Sequence, residues 1–553
     1  MEQLLSQLRG ALSGTISTSP ALRSSVRRDA SLFEITPDAV ITPESSKDIQ
    51  SLVRFVMKHK AAYPKLAITP RGAGTDMTGA AIGSSIVLDL TKLDTIHSFK
   101  GRLVHAHPGA KVYDIERMLG AHSLALGSSP TSRDVATLGG IVANNSAGER
   151  SFMYGSTQRW VSSLKVVLAD GKEYTVRPMS RRELERKMAE PTYEGRLYAH
   201  LYSILNRHYD IIRNARPHTV RNASGYNLWD IWDREEGIFD LTQLFIGSQG
   251  TLGIVTDITI EAVKKPQYVG ALLVRMPTLK KLDAVLKTIK EHSPLSIEGF
   301  DDITFLQGLR TYKLLRKQIG NREYAKQQIQ LLPSATVLKG SAPQLILTAE
   351  IEGDTHAELL EKLERLHEAL QKYKIQSDVV VDNPVNVPLR RMRQSTLALL
   401  QDKMKTQHAS PFIDDMAVHP DHIAAFLPRL RRVLKKHKLP ATIHGHFGDG
   451  IFHVLPLSQI TSVKEQVKLE PIMRDIIKLT LEYDGSLSGE HGDGMIRGPW
   501  LPAQFNQEVY TLFRQVKELF DPLYIFNPHK KTDATWEYSM SHLREFRPHG
   551  KKR

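Results

Sequence analysis

The first half of the chain alternates between short apolar runs and an amphipathic helical pattern. DAVITPES predicts a strand, and SSKDIQSLVRFVMKHK predicts a helix with a serine-rich start and apolar residues on one face. KLAITPRGAG, SSIVLDL and RLVHAHPGAKV predict strands that surround glycine turns. VSSLKVVLADGKEYTV predicts two strands joined at Asp170-Gly171, a pair preferred in tight hairpins. These elements favour an α+β domain with short strands.

From about Tyr268 the elements become longer. VGALLVRMP, SPLSIEGF and QLILTAEIEG predict strands, and LKKLDAVLKTIKEH and DTHAELLEKLERLHEALQKY predict helices. Such alternation predicts a separate sheet covered by helices, as a cap over the first domain. PAQFNQEVYTLFRQVKELFDPLYIFNPHKK predicts a helix that ends at an Asp-Pro turn and returns to the first domain. We expect an N-terminal helical segment at 1–33, a first domain at 34–265, a cap at 266–500, and a C-terminal helix with a basic tail at 501–553.

Composition narrows the class of protein. The 553 residues contain no cysteine, which excludes disulfides, cysteine zinc sites, cysteine-ligated iron–sulfur clusters and a cysteinyl-flavin bond within this chain. Any onward electron carrier is therefore expected to be a separate molecule. We find no long uninterrupted apolar run, and Glu2 stands where a secretory signal would be basic, so we expect a cytoplasmic protein.

The net charge of +14 does not by itself define a partner. Basic residues are dispersed over segments such as LPRLRRVLKKHK, without interleaved aromatic residues, so we expect no nucleic-acid partner. The tail HLREFRPHGKKR is more concentrated. It is expected to be a disordered solubilising end, with peripheral contact to anionic lipid at the inner membrane face as the alternative. The oligomeric state stays open.

Two glycine-rich segments suit a ligand that approaches the backbone closely. PRGAGTDMTG at 70–79 follows a predicted strand, and its exposed N–H groups can form a concave anion site for a pyrophosphate. A strand follows it, so it is not a Rossmann fingerprint, which needs a helix there. SPTS at 129–132, ATLGG at 136–140 and IVANNSAG at 141–148 offer small residues, hydroxyls and amides for a large flat ligand. A plain glycine turn and a tightly packed helix–strand junction are the alternatives.

Together with RNASGYNL and GSQGTLGIVT, these segments resemble the FAD domain of the vanillyl-alcohol oxidase / p-cresol methylhydroxylase superfamily over residues 34 to 265. The resemblance implies a two-subdomain FAD-binding domain of the p-cresol methylhydroxylase type, with an α/β cap that contains an antiparallel sheet. Asp76-Met77-Thr78 stands where some members carry the histidine that tethers FAD, so non-covalent FAD is implied. The residues implied to contact FAD are Pro70, Arg71, Gly72, Ala73, Gly74, Thr75, Asp76, Gly79, Pro130, Thr131, Ser132, Thr137, Gly140, Asn144, Asn145, Gly148, Tyr154, Gly155, Gly253, Ile254 and Asn527.

The segment ATIHGHFGDGIFHVL at 441–455 predicts a hairpin. If Asp449-Gly450 is a two-residue turn, His446 lies opposite His453, with Cβ atoms about 5 Å apart on one face. SGEHGDG at 488–494 adds Glu490 on a flexible loop. Two imidazoles and a carboxylate with open positions form a catalytic arrangement for Zn²⁺ or a similar divalent ion.

This half of the chain resembles the FAD-linked D-2-hydroxy-acid dehydrogenases: D-lactate dehydrogenase, D-2-hydroxyglutarate dehydrogenase and the D subunit of glycolate oxidase. The resemblance implies that His446, His453 and Glu490 hold the metal, that His491 is the general base, and that Arg393 binds the substrate carboxylate. Ile451 departs from the asparagine common after the GDG turn, which leaves substrate details less defined.

The expected activity is oxidation of a small D-2-hydroxy acid to its 2-oxo acid, with electrons passed on to a quinone, an electron-transfer protein or an iron–sulfur subunit. Three alternatives stay open. In the first alternative the chain is a non-catalytic flavin-binding subunit of a larger complex. In the second it is a transferase of the alkyl-dihydroxyacetone-phosphate synthase type, and in the third it is an oxidase that uses O₂ directly.

Overall fold

The structure is a computed structural model that describes residues 2–305, 343–381, 411–457, 460 and 463–544. Its strands are β1 (Thr15–Ser17), β2 (Ala39–Thr42), β3 (Ile68–Arg71), β4 (Ile86–Asp89), β5 (Ile96–Lys100), β6 (Leu103–Ala106), β7 (Leu124–Leu126), β8 (Val161–Val167), β9 (Glu173–Val176), β10 (Pro178–Ser180), β11 (Trp232–Asp233), β12 (Ile238–Asp240), β13 (Ile254–Lys264), β14 (Tyr268–Met276), β15 (Ser296–Asp301), β16 (Leu345–Gly353), β17 (Gln376–Val380), β18 (Met416–Ala417), β19 (Ala441–His446) and β20 (Ile451–Pro456).

The helices are α1 (Glu2–Ser6), α2 (Pro20–Val26), α3 (Ser46–His59), α4 (Val112–Gly120), α5 (Leu138–Asn144), α6 (Ser151–Tyr154), α7 (Arg181–Ala189), α8 (Tyr193–Arg207), α9 (Tyr209–Asn214), α10 (Thr242–Phe245), α11 (Leu282–Glu291), α12 (His356–Gln371), α13 (Ile423–Lys436), α14 (Val463–Gln466), α15 (Leu469–Leu481), α16 (Leu501–Gln504), α17 (Gln507–Phe520) and α18 (Trp536–Ser541).

The first sheet has the order β1-β2-β4-β3, with β2, β4 and β3 parallel and β1 antiparallel at one edge. Helix α3 covers it, since Leu52 and Val56 of the helix share one buried core with Ile68 and Leu88 of the strands. Parallel strands buried in this way read as continuous apolar runs, which is the pattern of SSIVLDL. The sheet directs the end of β3 into the glycine-rich loop.

The second sheet is antiparallel, in the order β5-β6-β13-β8-β9, and β7 pairs with the far end of β13. The predicted hairpin is present between β8 and β9, and Gly171 at its turn has φ +71°. Helix α17 belongs to the core of this sheet, where Phe513 and Val516 are fully buried. A small antiparallel sheet, β10-β12-β11, lies beside it.

The cap contains an antiparallel sheet in the order β17-β14-β16-β15-β19-β20-β18. Helix α12 begins where the Thr355 hydroxyl accepts from the N–H of Glu358, and it buries Leu359, Leu363 and Leu366 in the cap core. The strand pair β19–β20 lies inside this sheet, so its residues are shielded from water.

The predicted α+β class and the predicted antiparallel sheet of the cap are both present. The predicted domain bounds stay a prediction. Two hydrophobic cores extend across the predicted bounds. Phe33 packs in the cap core, whereas Leu501 and Phe505 pack in the core of the second sheet.

Candidate active site

The glycine-rich loop after β3 is fixed by two charged side chains. Arg71 donates to the carbonyl oxygen of Ala81 at 3.0 Å. The Asp76 carboxylate accepts from the N–H groups of Thr78 and Ala80, each at 2.8 Å. These charge-assisted hydrogen bonds hold the loop open as a defined shape.

The same loop touches the start of α5. Thr137 caps that helix by accepting from the N–H of Gly140 at 3.3 Å, and a Cβ at Gly72 would overlap with the Thr137 hydroxyl. Gly74 has φ +70°, a conformation that favours glycine. Glycine at these positions therefore lets two backbone segments approach each other and leaves a cradle beside them.

This cradle is part of an open cleft between the glycine-rich loop and the start of α5. The predicted FAD contacts that line it are Pro70, Arg71, Gly72, Ala73, Gly74, Thr75, Asp76, Pro130, Ser132, Thr137, Gly140, Asn144 and Gly253. Segments far apart in the sequence thus meet around one cleft.

Other predicted contacts lie around the cleft without lining it. Ile254 is buried in the core of the first sheet, and the Asn527 amide donates to the carbonyl oxygens of Ala80 and Gln249, at 2.9 and 2.8 Å. Thr131 lines a neighbouring surface groove. Among the described residues, those predicted as contacts but absent from the cleft lining are Gly79, Thr131, Asn145, Gly148, Tyr154, Gly155, Ile254 and Asn527.

Gln249 is a functional residue that the sequence analysis did not select. It lines the cleft, and its Nε2 donates to Oδ1 of Asn144 at 3.1 Å. Its Oε1 accepts from the N–H groups of Asp493 and Gly494, at 3.2 and 2.8 Å. Gln249 lies inside the quoted motif GSQGTLGIVT, so the signal was present, but the pairing with residues 493–494 was not readable.

The hairpin β19–β20 has a different register from the predicted one. His444, not His446, lies opposite His453, so the predicted two-residue turn is wrong and residues 447–450 form the loop. The physical reason is Asp449: its carboxylate is buried in an ion pair with Arg221 instead of standing at an exposed turn. A shift of two residues keeps every side chain on its predicted face, because strand side chains alternate with a period of two.

The two predicted metal-binding imidazoles converge on one carboxylate oxygen. Nε2 of His446 and Nε2 of His453 each lie 3.2 Å from Oε1 of Glu490. Ligand atoms bound to one Zn²⁺ at about 2.0–2.2 Å lie roughly 3.3–3.5 Å apart. The two nitrogen–oxygen distances are close to that range, so each imidazole can share a divalent cation with Glu490. All three side chains are at most one-tenth exposed.

Each of these imidazoles has a further carboxylate at its other nitrogen. Nδ1 of His446 lies 2.7 Å from Oε1 of Glu298, and Nδ1 of His453 lies 3.0 Å from Oδ1 of Asp414. Carboxylate–histidine pairs of this kind orient metal-binding imidazoles and increase their basicity. Glu298 and Asp414 carry no motif signal of their own. Glu298 reaches the site because β15 pairs with β19 and places it opposite His446.

His491, the predicted base, stacks on His453 with ring centroids 5.1 Å apart. Its Nδ1 lies 2.7 Å from Oδ2 of Asp414, and its Nε2 lies 3.8 Å from Oε1 of Glu490. The carboxylate of Asp415 accepts from the N–H of His491 at 2.7 Å. Asp415, His453, Glu490 and His491 present ligand atoms that all lie within 4.8 Å of one another.

Arg221 fixes the second oxygen of Glu490. Its guanidinium lies 3.3 Å from Oε2 of Glu490 and pairs with Asp449, and all three side chains are buried. The residue belongs to the quoted motif RNASGYNL. One oxygen of Glu490 is thus held in place, and the other faces the two imidazoles.

The electrostatics of the cluster favour a bound cation. Burial opposes protonation of His446, but Glu298 and Glu490 outweigh it and raise the pKa of His446 to about 9. The same competition between burial and carboxylates, with Asp414 as the main partner, raises the pKa of His453 to about 9. Burial likewise opposes protonation of His491, and the nearby carboxylates raise its pKa to about 10. The pocket is therefore rich in negative charge that positive charge must balance.

The imidazole cluster and the cleft are adjacent. Gln249, which lines the cleft, donates to the carbonyl oxygen of His491 at 3.4 Å. The N–H of Met495 donates to the carbonyl oxygen of Thr78 in the first glycine-rich loop, at 2.8 Å. Arg393, the predicted carboxylate-binding residue, lies outside the described residues.

Two family models match the chain. Residues 37–177 match the FAD binding domain family, and residues 265–531 match the FAD linked oxidases, C-terminal domain. The chain therefore contains both of these domains. The structure of p-cresol methylhydroxylase with substrate bound matches this chain with a TM-score of 0.66, at 14% identity, over 97% of each chain. A likeness at this identity concerns the fold alone.

Relatives with similar sequences are named as dehydrogenases or oxidases of hydroxy acids. The chain is 26% identical over 527 residues to a D-2-hydroxyglutarate dehydrogenase of Pantoea ananatis, across 94% of this chain and 50% of that protein. It is 26% identical over 509 residues to glycolate oxidase subunit GlcD of Bacillus subtilis, across 90% of this chain and 89% of that one. The chain spans about half the length of the Pantoea relative and of three further D-2-hydroxyglutarate dehydrogenases.

Among the described residues, none of the helices combines the length and the apolar character needed to cross a bilayer.

Proposed function

We propose that this protein catalyses the FAD-dependent oxidation of a small D-2-hydroxy acid to its 2-oxo acid. The observation that carries the proposal is the contact of His446 and His453 with one oxygen of Glu490, next to a cleft lined by the FAD-family motifs. Relatives named D-2-hydroxyglutarate dehydrogenase, D-lactate dehydrogenase and glycolate oxidase subunit support the substrate class.

Two bound groups supply the chemistry that side chains cannot. The cleft would hold FAD without a covalent bond, and the flavin would supply the capacity to accept a hydride. A divalent cation, for which we propose zinc, would supply Lewis acidity toward the substrate oxygens.

The chain's own residues position these groups and move the proton. His446, His453 and Glu490 would hold the cation, with Glu298 and Asp414 orienting the two imidazoles from behind. His491 would take the hydroxyl proton at Nε2, since its Nδ1 lies 2.7 Å from Oδ2 of Asp414 and a bound cation would offset the carboxylates that raise its pKa. Asp415 holds the backbone of His491 in place.

Arg393 is proposed to bind the substrate carboxylate, since a guanidinium can form two parallel hydrogen bonds with it. That assignment rests on the sequence. The electron acceptor is proposed to lie outside this chain, which has no cysteine for an iron–sulfur cluster. Peripheral contact of the basic tail with a membrane stays a prediction, and that tail lies mostly outside the described residues.

Anaerobic mixing with a panel of acids tests the proposal. D-2-hydroxyglutarate, D-lactate and glycolate would be mixed with the FAD-loaded protein, with the L enantiomers of the chiral acids as matched controls. We expect at least one acid to remove the absorbance of oxidised flavin, and the L enantiomers to act far more slowly. A flavin that no 2-hydroxy acid reduces would contradict the proposal. That result would favour a non-catalytic subunit or a transferase of the alkyl-dihydroxyacetone-phosphate synthase type. Peroxide formed on admission of air would reveal direct use of O₂.

A further inference from the structure

A second group of imidazoles lies in the first half of the chain, outside the candidate active site. His97 is on β5, His105 is on β6, and His107 directly follows β6. Asp257 lies on β13, which pairs with β6. The strand order β5-β6-β13 brings all four side chains together on neighbouring strands.

The contacts within this group are close. Nε2 of His97 lies 3.4 Å from Oδ2 of Asp257, and His105 pairs with the other oxygen of the same carboxylate. The ring centroids of His97 and His107 are 4.2 Å apart, and those of His97 and His105 are 4.9 Å apart. His97, His107 and Asp257 present ligand atoms that all lie within 4.8 Å of one another.

Irregularities in two strands coincide with the group. The register of β5 against β6 shifts between Ile96 and Ser98, so His97 is the extra residue of a bulge. The register of β13 against β8 shifts between Val255 and Asp257. Bulges redirect side chains at functional positions. One bulge lies at His97, and the other lies directly beside Asp257.

His107 adds a second observation. Its Nδ1 is buried and has no hydrogen-bond partner among the residues that the structure describes. An imidazole nitrogen that no described residue engages can offer its lone pair to a metal, so His107 suits a ligand role.

We propose that His97, His105, His107 and Asp257 form a second divalent-cation site, separate from the candidate active site. Imidazole nitrogens with one carboxylate oxygen suit Zn²⁺, Co²⁺ or Ni²⁺, in contrast to Mg²⁺ or Ca²⁺, which prefer oxygen ligands. The side chains of His97 and His105 are about one-third exposed, which leaves an entry path for the ion. Its role is structural: the ion clasps β5, at the edge of the sheet, to β6 and β13.

The test counts bound metal ions. FAD-loaded protein would be stripped with a chelator and then titrated with Zn²⁺ by calorimetry, and Co²⁺ spectra would report the ligand geometry. We expect His97→Gln and Asp257→Asn each to bind one equivalent fewer than the unaltered protein, with FAD content unchanged. His122→Gln, an exposed histidine of the same domain, is the matched control and should bind the full number.

The comparison does not depend on the active-site metal. The Glu490→Gln variant should lose a different equivalent, so that its combination with His97→Gln loses both. Equal numbers of tightly bound ions in the unaltered protein and in both cluster variants would overturn the proposal. An equivalent that binds only at millimolar Zn²⁺ would also overturn it.

Discussion

Glu490 connects three parts of the candidate site through its two carboxylate oxygens. Oε1 faces the imidazoles of His446 and His453, and Oε2 faces the guanidinium of Arg221. Burial would by itself favour the neutral carboxyl, but the charges of His446 and Arg221 are among the contacts that hold the pKa of Glu490 well below its usual value. A carboxylate that is ionised and held on one side is prepared to donate its other oxygen to a cation.

Glu298, which contacts Nδ1 of His446, should affect cation binding almost as directly as a ligand does. Glu298→Gln keeps the size of the side chain but removes the charge that polarises Nδ1 of His446. We expect the affinity for the cation to fall by about 10–100-fold, as is usual for carboxylates behind metal-binding histidines. Competition with a chelator of known affinity measures this change.

Glu185→Gln, an exposed substitution on α7, is the control for that measurement and should leave the affinity unchanged. An unchanged affinity in Glu298→Gln, together with a large loss in Glu490→Gln, would show that the Glu298 contact does not support the site.

At the scale of elements, the glycine-rich loop after β3 and the start of α5 depend on close backbone approach. Gly72→Ala should lower the fraction of protein that carries FAD, because its Cβ would overlap with the Thr137 hydroxyl and push the two segments apart. Flavin absorbance per protein, with circular dichroism to confirm folding, measures this fraction.

Gly120→Ala is the matched control, since a Cβ at that helical position meets open space. It should keep full FAD content. A Gly72→Ala variant with undiminished FAD would mean that the loop does not need this approach.

The hairpin β19–β20 shows what the sequence could and could not predict at this scale. The strands and the shared face of the histidines were readable from alternation. The register was not, because the tertiary ion pair between Asp449 and Arg221 outweighs the local preference of Asp-Gly for a two-residue turn. Local signals cannot report a partner more than two hundred residues away.

At the scale of the whole molecule, the order of motifs predicted the fold class and the FAD domain family, and both are confirmed. Glycines that must accommodate close contact leave a clear signature, as in PRGAGT. The carboxylates that contact the histidines were not predicted, because their segments carry no such signature. Glu298, Asp414 and Asp415 lie in ordinary-looking segments, and only the antiparallel cap sheet and the loop at 486–494 bring them to the histidines.

The cap and the FAD-type domain meet at this loop. Asp493 accepts from the Ser224 hydroxyl at 2.6 Å and from Lys531 at 2.6 Å, and all three side chains are buried. Glu490 and His491 are therefore carried by a segment that both parts of the molecule fix. A rigid placement of this kind is what hydride transfer between a held substrate and a held flavin requires.

Flavin reduction before and after metal removal shows whether the oxidation of the hydroxy acid needs the cation. The FAD-loaded protein would be treated with a chelator, separated from it, and mixed anaerobically with the D-2-hydroxy acid that reduces the untreated protein. We predict that FAD stays bound and that reduction by the acid is lost, while dithionite still reduces the flavin. Added Zn²⁺ should restore reduction in the unaltered protein and in His97→Gln, but not in Glu490→Gln. Reduction by the acid at an undiminished rate in protein verified to be free of metal would contradict the account.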